Sequence, residues 1–259
     1  MSIEEILRNA AQRAQNIFKG KSHNIKYYDV SILPEEKKSF YTDEGLDRRY
    51  TAFEELRGEL LTTRVPSNRI YHKLISKQNS FLVGNCMLLA IFALQYLKNE
   101  HNQTLCQLFY PTDINLSALK SLLTLQLIVT LRPYNHAFSL ICPPSYTNPK
   151  PKIGETYRPN QFPDGSWICD PWANIVCPAK NYDDKWKLKM AEWNHSGKAL
   201  YLNRSNVQQD NDLNQSPLGK YAYTMVQMSH KTIDELITIF PNGDSKIKTH
   251  HSFRGCSLF

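Results

Sequence analysis

A cysteine at the start of an apolar helix is the residue of this sequence best suited to covalent chemistry. Cys86 directly follows the turn-forming pair Gly84-Asn85 and opens an apolar run over residues 87–94. The N-terminus of a helix carries partial positive charge and unpaired N–H groups, so it favours the thiolate, the nucleophilic form of cysteine. Cys86 is therefore a candidate nucleophile, although a buried cysteine in such a setting is more often an inert core residue.

A thiol nucleophile needs a base that takes its proton and a third group that orients the base. His136 begins a mostly apolar segment, and Asp170 follows the short apolar segment 167–169 and precedes Pro171. Antiparallel neighbours bring the start of one strand beside the end of the next, so His136 and Asp170 could meet. In the alternative interpretation His136 is a hydrogen-bonded strand histidine and Asp170 only forms a turn.

Three short blocks occur in an order that resembles a known enzyme family. They are Gly84-Asn85-Cys86, Asn135-His136-Ala137-Phe138 and Cys169-Asp170-Pro171-Trp172. Together they resemble the signature blocks of papain-like cysteine enzymes, above all the glutamine deamidases and effector proteases of bacterial pathogens. The resemblance covers about residues 78–175 and implies Cys86 as nucleophile, His136 as general base and acid, and Asp170 as the residue that orients the imidazole.

The resemblance also implies a fold and an activity. The expected fold is α+β, with an antiparallel sheet packed against the helix that carries Cys86 and with extra N- and C-terminal helices. The expected activity is hydrolysis of amide bonds in a host protein, by glutamine deamidation or proteolysis. A transglutaminase, an acyltransferase or a deubiquitinase would use the same triad, and a catalytically inactive, lipid-anchored binding module remains the alternative from another class.

Papain-like enzymes also stabilise an oxyanion. The backbone N–H of Cys86 at the start of the helix is one natural donor. The family often adds a glutamine a few residues before the cysteine, and Gln78 lies slightly farther upstream than usual. Asn85 is the competing candidate for this role.

Periodicity and turn residues predict the elements around these blocks. We expect an N-terminal helix over residues 2–18, in which Ser2 and Glu5 form a capping box. Further helices are expected over residues 50–61, 116–127, 184–193 and 232–240, and strands over residues 104–110, 136–142 and 167–169. Helices, then mostly strands, then helices again favour an α+β fold.

Composition narrows the class of protein. The 259 residues suit one domain over residues 1–245 with a basic tail over residues 246–259. The net charge of +7 comes from scattered basic residues without a recognisable nucleic-acid module, so we expect no nucleic-acid partner. The six cysteines lack a framework spacing, which predicts reduced thiols. Cys169, Cys177 and His195 lack the spacing of zinc ligands, so we expect no metal and no cofactor.

The C-terminal residues Cys256-Ser257-Leu258-Phe259 match a prenylation box, and a terminal phenylalanine favours geranylgeranyl. Basic residues precede the box and supply a second attraction to anionic lipid: Lys246, Lys248, His250, His251 and Arg254. We therefore expect a host prenyltransferase to modify Cys256. Because the N-terminus lacks a cleavable signal pattern, the resulting hypothesis is a bacterial protein delivered into a host cell and held at the cytosolic face of a membrane. The alternative is an ordinary disordered tail.

Overall fold

The structure is a computed structural model that describes residues 1–61, 65–110, 114–131, 134–200 and 216–250. Within these ranges the chain combines helices with two antiparallel sheets, which is an α+β arrangement. None of the helices described is long and apolar enough to cross a membrane.

The helices lie mostly in the first half of the chain. Their bounds are α1 Ile3–Ile17, α2 Glu35–Lys38, α3 Asp43–Leu61, α4 Ser67–Ser76, α5 Cys86–Glu100, α6 Asn102–Phe109, α7 Tyr182–His195, α8 Lys220–Tyr223 and α9 Met225–Met228, with 3-10 turns at Leu116–Ala118 and Ala179–Asn181. The predicted capping box of α1 is confirmed, since the Ser2 hydroxyl accepts from the Glu5 N–H and the Glu5 carboxylate accepts from the Ser2 N–H. The helices predicted over residues 50–61 and 184–193 are confirmed within α3 and α7.

The strands form one large sheet and one small one. Their bounds are β1 Ile25–Tyr27, β2 Leu123–Thr130, β3 Ala137–Cys142, β4 Thr156–Tyr157, β5 Trp167–Asp170, β6 Ile175–Pro178, β7 Lys198–Leu200, β8 Lys231–Ile239 and β9 Ser245–Thr249. The large sheet has the order β4-β8-β2-β3-β5-β6, and β9 also pairs with β8; β1 and β7 form the small sheet. All of these pairs are antiparallel. Because β9 includes Lys246 and Lys248, the sheet extends into the first residues of the predicted tail.

Helix α5 is the central helix of the core. Residues 86–95 are all buried, which explains why this stretch of the sequence has no polar face. One side of α5 lies against β3, where the Ser139 hydroxyl donates to the Ala90 carbonyl at 3.2 Å. Helices α1 and α4 pack against other sides of α5. The sheet and two helices therefore hold the first residue of α5 in a fixed position.

Two predicted helices are strands. The helix predicted over residues 116–127 is wrong, because only Leu116–Ala118 is helical and β2 begins at Leu123. The helix predicted over residues 232–240 is also wrong, because these residues form most of β8. Strands β2 and β8 lie inside the large sheet and are buried on both faces, so the strict alternation typical of half-buried strands is missing. The predicted C-terminal helix is thus replaced by a strand paired with β2, β4 and β9.

The opposite error occurs at residues 104–110, which were expected to form a strand and instead lie in and just after α6. Helical geometry lets Leu105 and Cys106 face the core while their neighbours remain more exposed. The Cys106 thiol contacts the Phe240 carbonyl at 3.4 Å, and the Tyr110 hydroxyl donates to the Ile239 carbonyl at 2.8 Å. Contacts with the end of β8 therefore stabilise this helix. The segment is too short for its hydrophobic periodicity to distinguish a helix from a strand.

Candidate active site

Cys86 is the first residue of α5, and the residue before it caps the helix. The Asn85 side-chain oxygen accepts from the Leu88 N–H at 3.0 Å, as an N-cap residue does. Among the described residues no protein oxygen accepts from the backbone N–H of Cys86. Cys86 is 6 % exposed. The thiol therefore lies beside an unpaired N–H group at the positive end of a helix.

The hairpin between β2 and β3 positions His136 one residue before β3 begins. The Thr130 hydroxyl accepts from the His136 N–H at 2.6 Å, and the Thr130 N–H donates to the His136 carbonyl at 2.8 Å. Asn135 has a φ of 37°, and asparagine is one of the few residues that tolerate positive φ well. The Asn135 carbonyl lies 4.0 Å from the Cys86 sulfur. The backbone of this turn therefore brings His136 to the start of α5.

Asp170 lies at the end of β5 and holds the imidazole of His136. The Asp170 Oδ2 atom lies 2.8 Å from His136 Nε2 and also accepts from the Tyr182 hydroxyl at 2.9 Å. The Oδ1 atom accepts from the backbone N–H groups of Trp172 and Ala173, both at 3.1 Å. The carboxylate is fully buried, so these four hydrogen bonds leave it little freedom to turn.

Nδ1 is the ring nitrogen of His136 that is left for Cys86, because Nε2 is bound to Asp170. Burial alone would lower the pKa of His136, but the charge and hydrogen bond of Asp170, together with those of Cys86, raise it above its ordinary value of 6.5. The protonated imidazole is thus stabilised between a carboxylate and a sulfur atom.

Two tryptophans enclose the imidazole. The ring centroid of His136 lies 5.2 Å from that of Trp172 and 5.0 Å from that of Trp186. The Trp172 N–H donates to the Ser22 hydroxyl at 3.0 Å, and the Trp186 N–H donates to the Ala222 carbonyl at 2.7 Å. Both indoles are buried. Apolar walls of this kind exclude water and strengthen the interaction between His136 and Asp170.

The other described cysteines have a different environment. Burial raises the pKa of Cys106, and it raises the pKa of Cys142 and of Cys177 to about 12. Burial also raises the pKa of Cys169, whose thiol contacts the Leu7 carbonyl at 3.5 Å. These four thiols therefore stay protonated at neutral pH. Across the described ranges, no group of three or more His, Cys, Asp or Glu residues is arranged to hold a metal ion.

The remaining predicted site residues have less direct relations to Cys86. Gln78 lies in the turn after α4, and its side chain makes no hydrogen bond to the described residues around Cys86. The Asn85 side-chain oxygen is occupied as the helix cap. Of the basic residues, Lys246 and Lys248 lie exposed on β9. Cys256, His251 and Arg254 fall within residues 251–259, outside the described ranges.

Two residues of the site were not predicted. Tyr182, the first residue of α7, supplies a hydroxyl donor to Asp170. Thr130, the last residue of β2, anchors the backbone of His136. No local pattern identifies either one, because both act through partners distant in the sequence. The N–H groups of Trp172 and Ala173 were more accessible to prediction, since an aspartate before a turn commonly accepts from the backbone two residues on.

The chain has no detected relatives: no family model, curated protein or solved structure matches it. Evidence for a function therefore comes from the geometry of Cys86, His136 and Asp170.

Proposed function

We propose that the protein is a papain-like cysteine hydrolase that acts on amide bonds of a host protein. The observation that carries this proposal is the orientation of His136: Nε2 is bound to Asp170 at 2.8 Å, and Nδ1 is left for the thiol at the start of α5. The candidate nucleophile, base and orienting group come from the start of α5, the residue before β3 and the end of β5, and they are the three kinds of group that thiol catalysis needs.

The chemistry proceeds in two stages. The proton of Cys86 moves to His136 Nδ1, and the thiolate attacks the carbonyl carbon of the substrate amide. The backbone N–H of Cys86 donates to the oxygen that becomes negative. His136 then protonates the departing nitrogen as the C–N bond breaks, which leaves a thioester on Cys86. Water gives a proton to His136 and attacks the thioester, and the released thiolate completes the cycle with a carboxylate product.

The leaving group distinguishes the two activities. Ammonia leaves when the amide is a glutamine side chain, and a peptide amine leaves when it is the backbone. We rank deamidation slightly ahead of proteolysis, because the tryptophan after Asp170-Pro171 resembles the deamidase toxins. A transglutaminase would carry out the same first stage and admit an amine in place of water, and a deubiquitinase would differ only in substrate.

The experiment that tests the thiol chemistry measures labelling by iodoacetamide between pH 5 and 9, with intact-mass detection. A Cys256→Ser background removes the thiol outside the described ranges. Cys86, Cys106 and Cys142 are 6 %, 7 % and 7 % exposed, so accessibility alone would label them at similar rates. We expect Cys86 to react at pH 6 about a hundredfold faster than an ordinary thiol, which is almost fully protonated at that pH.

Matched variants separate the roles of the three residues. Cys86→Ala should abolish the fast label, whereas Cys142→Ala should leave it unchanged. His136→Ala should reduce the rate at pH 6 to that of an ordinary thiol, and Asp170→Asn should reduce it in part. Slow labelling spread over several cysteines and indifferent to His136 would refute the proposal and favour a binding module without turnover.

We also propose that lipid on Cys256 anchors the protein to a membrane. Support comes from the match to the prenylation box and from the exposed lysines of β9 nearby in the sequence. Expression in eukaryotic cells, followed by intact-mass analysis, should show a geranylgeranyl adduct that Cys256→Ser lacks. A soluble protein with an unmodified Cys256 would overturn this part of the proposal and leave the thiol chemistry untouched.

A further inference from the structure

A pocket lies on the face of the large sheet opposite α5. Side chains alternate between the two faces along a strand. Ser139 points toward α5, so Cys142, three residues later on β3, points to the other face. Cys142 is paired with Thr124 on β2, and Gln126 lies two residues farther along β2 on the same face. The segment between β3 and β5 covers this face and forms the outer wall of the pocket.

The pocket has a volume of about 290 Å³, close to the lower end of the range for small-molecule sites. Five apolar residues of the covering segment form its walls: Pro143, Pro149, Pro151, Phe162 and Pro163. The Asn148 side chain donates to the Asp164 carbonyl at 3.2 Å, and the Ser121 N–H donates to the Ser145 carbonyl at 3.1 Å. These bonds tie the covering segment to itself and to the residues before β2, so the walls of this half-open pocket are held in place.

The floor of the pocket is polar but uncharged. The fully buried Gln126 donates to the Thr124 hydroxyl at 3.1 Å and to the Cys142 sulfur at 3.3 Å, and it accepts from the Tyr157 hydroxyl at 3.0 Å. Burial raises the pKa of Cys142 and of Tyr157, so both keep their protons. The charged residues among the described lining are Glu155 and Arg158, and both are exposed at the rim.

We propose that this pocket binds an uncharged small molecule with a flat apolar body and a group, such as a primary amide, that both donates and accepts hydrogen bonds. The proline and phenylalanine walls suit the flat body. Gln126 uses both of its side-chain N–H hydrogens within the floor, so the Thr124 hydroxyl hydrogen and the second lone pair of the Gln126 side-chain oxygen remain for the polar end. A charged end would lose its hydration at the floor without gaining a counter-ion, which is strongly unfavourable.

This site is separate from the proposed active site. His136 precedes β3, and Cys142 ends it, so the two sites lie at opposite ends of the strand, about 20 Å apart at the usual rise per residue. They also lie at different surfaces, because the thiol of Cys86 is at the start of a helix on the other face of the sheet. The inference therefore does not depend on the proposed hydrolase activity.

The test uses benzamide and its charged analogue benzoate, which have nearly the same shape. Titration of the full-length, isotopically labelled protein with benzamide should shift the backbone NMR signals of Thr124, Gln126, Cys142 and Gln161 in a saturable way. A compound of this size should bind with a Kd of about 1 mM. Benzoate should bind at least tenfold more weakly. Equal binding of the two compounds, no saturable shift, or shifts confined to the surroundings of Cys86 would each overturn the proposal.

A filled pocket provides a second test. Cys142→Met adds atoms at the floor and should weaken benzamide binding at least tenfold. Cys106→Met alters a cysteine of the same exposed fraction outside the pocket lining and should leave binding unchanged. Unweakened binding to a folded Cys142→Met protein would contradict the assignment. The comparison of benzamide with benzoate needs no variant, so it decides the matter even where Cys142→Met does not fold.

Discussion

Replacement of Tyr182 by phenylalanine isolates the influence of one hydrogen bond on the His136–Asp170 pair. Tyr182 is fully buried, and burial together with the charge of Asp170 raises its pKa well above 10, so the hydroxyl donates throughout the range of the labelling assay. Tyr182→Phe removes this donor and keeps the ring. Asp170 retains three of its four hydrogen bonds, those from His136, Trp172 and Ala173, so the carboxylate should stay in place.

The expected magnitudes follow from this geometry. A hydrogen bond to a charged group contributes about 1.5–3 kcal/mol, so the free energy of unfolding should fall by about 2 kcal/mol. The remaining negative charge on Oδ2 is less neutralised and attracts the imidazolium of His136 more strongly. The imidazolium should then persist to higher pH. If its interaction with Asp170 strengthens by about 1 kcal/mol, the pKa of His136 should rise further by about half to one unit.

NMR titration of the His136 imidazole nitrogens measures this shift, urea unfolding measures the stability, and iodoacetamide labelling at pH 6 shows whether Cys86 keeps its reactivity. Tyr157→Phe is the control, because the hydroxyl of the half-buried Tyr157 is also a donor but its partner is the neutral Gln126. It should lower the free energy of unfolding by about 1 kcal/mol and leave the pKa of His136 unchanged. A lower pKa of His136 in Tyr182→Phe, or the slow labelling expected of Asp170→Asn, would refute the reasoning and show that Tyr182 acts by holding Asp170 in position.

Two further predictions concern stability around the site and in the sheet. Gly84→Ala should lower the free energy of unfolding by about 1–3 kcal/mol and slow Cys86 labelling, because a Cβ there would lie 2.8 Å from the ring of Phe18. Gly58→Ala in α3, where a Cβ meets nothing within 4 Å, should instead be neutral or stabilising. Burial raises the pKa of Asp234 from 3.8 to about 6, so the stabilisation from its bound proton is complete below pH 3.8 and is lost as pH rises through 6. Asp234→Asn should therefore raise the free energy of unfolding by about 2–3 kcal/mol at pH 8 and by almost nothing at pH 3.5. Urea unfolding at the two pH values measures this difference. Equal effects at both pH values would contradict a raised pKa of Asp234.

Several elements near the site follow from local signals in the sequence. The turn pair before Cys86 and the apolar run behind it identify the start of α5, since an asparagine cap and a buried helix leave direct traces in residue type. The strands predicted over residues 136–142 and 167–169 are confirmed as β3, which begins one residue after His136, and β5, which ends at Asp170. Each ends at a proline or a turn residue that interrupts backbone pairing.

Other elements depend on contacts that a short segment does not reveal. β2 and β8 are strands because each is paired on both edges inside the sheet, and their buried residues face the core from both sides. A window of eight or nine residues, most of them apolar or β-branched, is compatible with either a helix or a strand. The pairing partners decide between them, and those partners lie about a hundred residues apart in the sequence.

The sequence by itself determined which residues of this protein could do chemistry and which local elements carry them, because helix caps, turn residues and apolar runs act over a few neighbours. Only the tertiary structure decided that Asp170 Oδ2 faces His136 Nε2, that Tyr182 and Thr130 support the pair, and that a pocket with an uncharged floor lies at the far end of β3. The physical reason is that hydrogen bonds and burial depend on distances in space, and the order of strands in the sheet brings together residues that no local pattern connects.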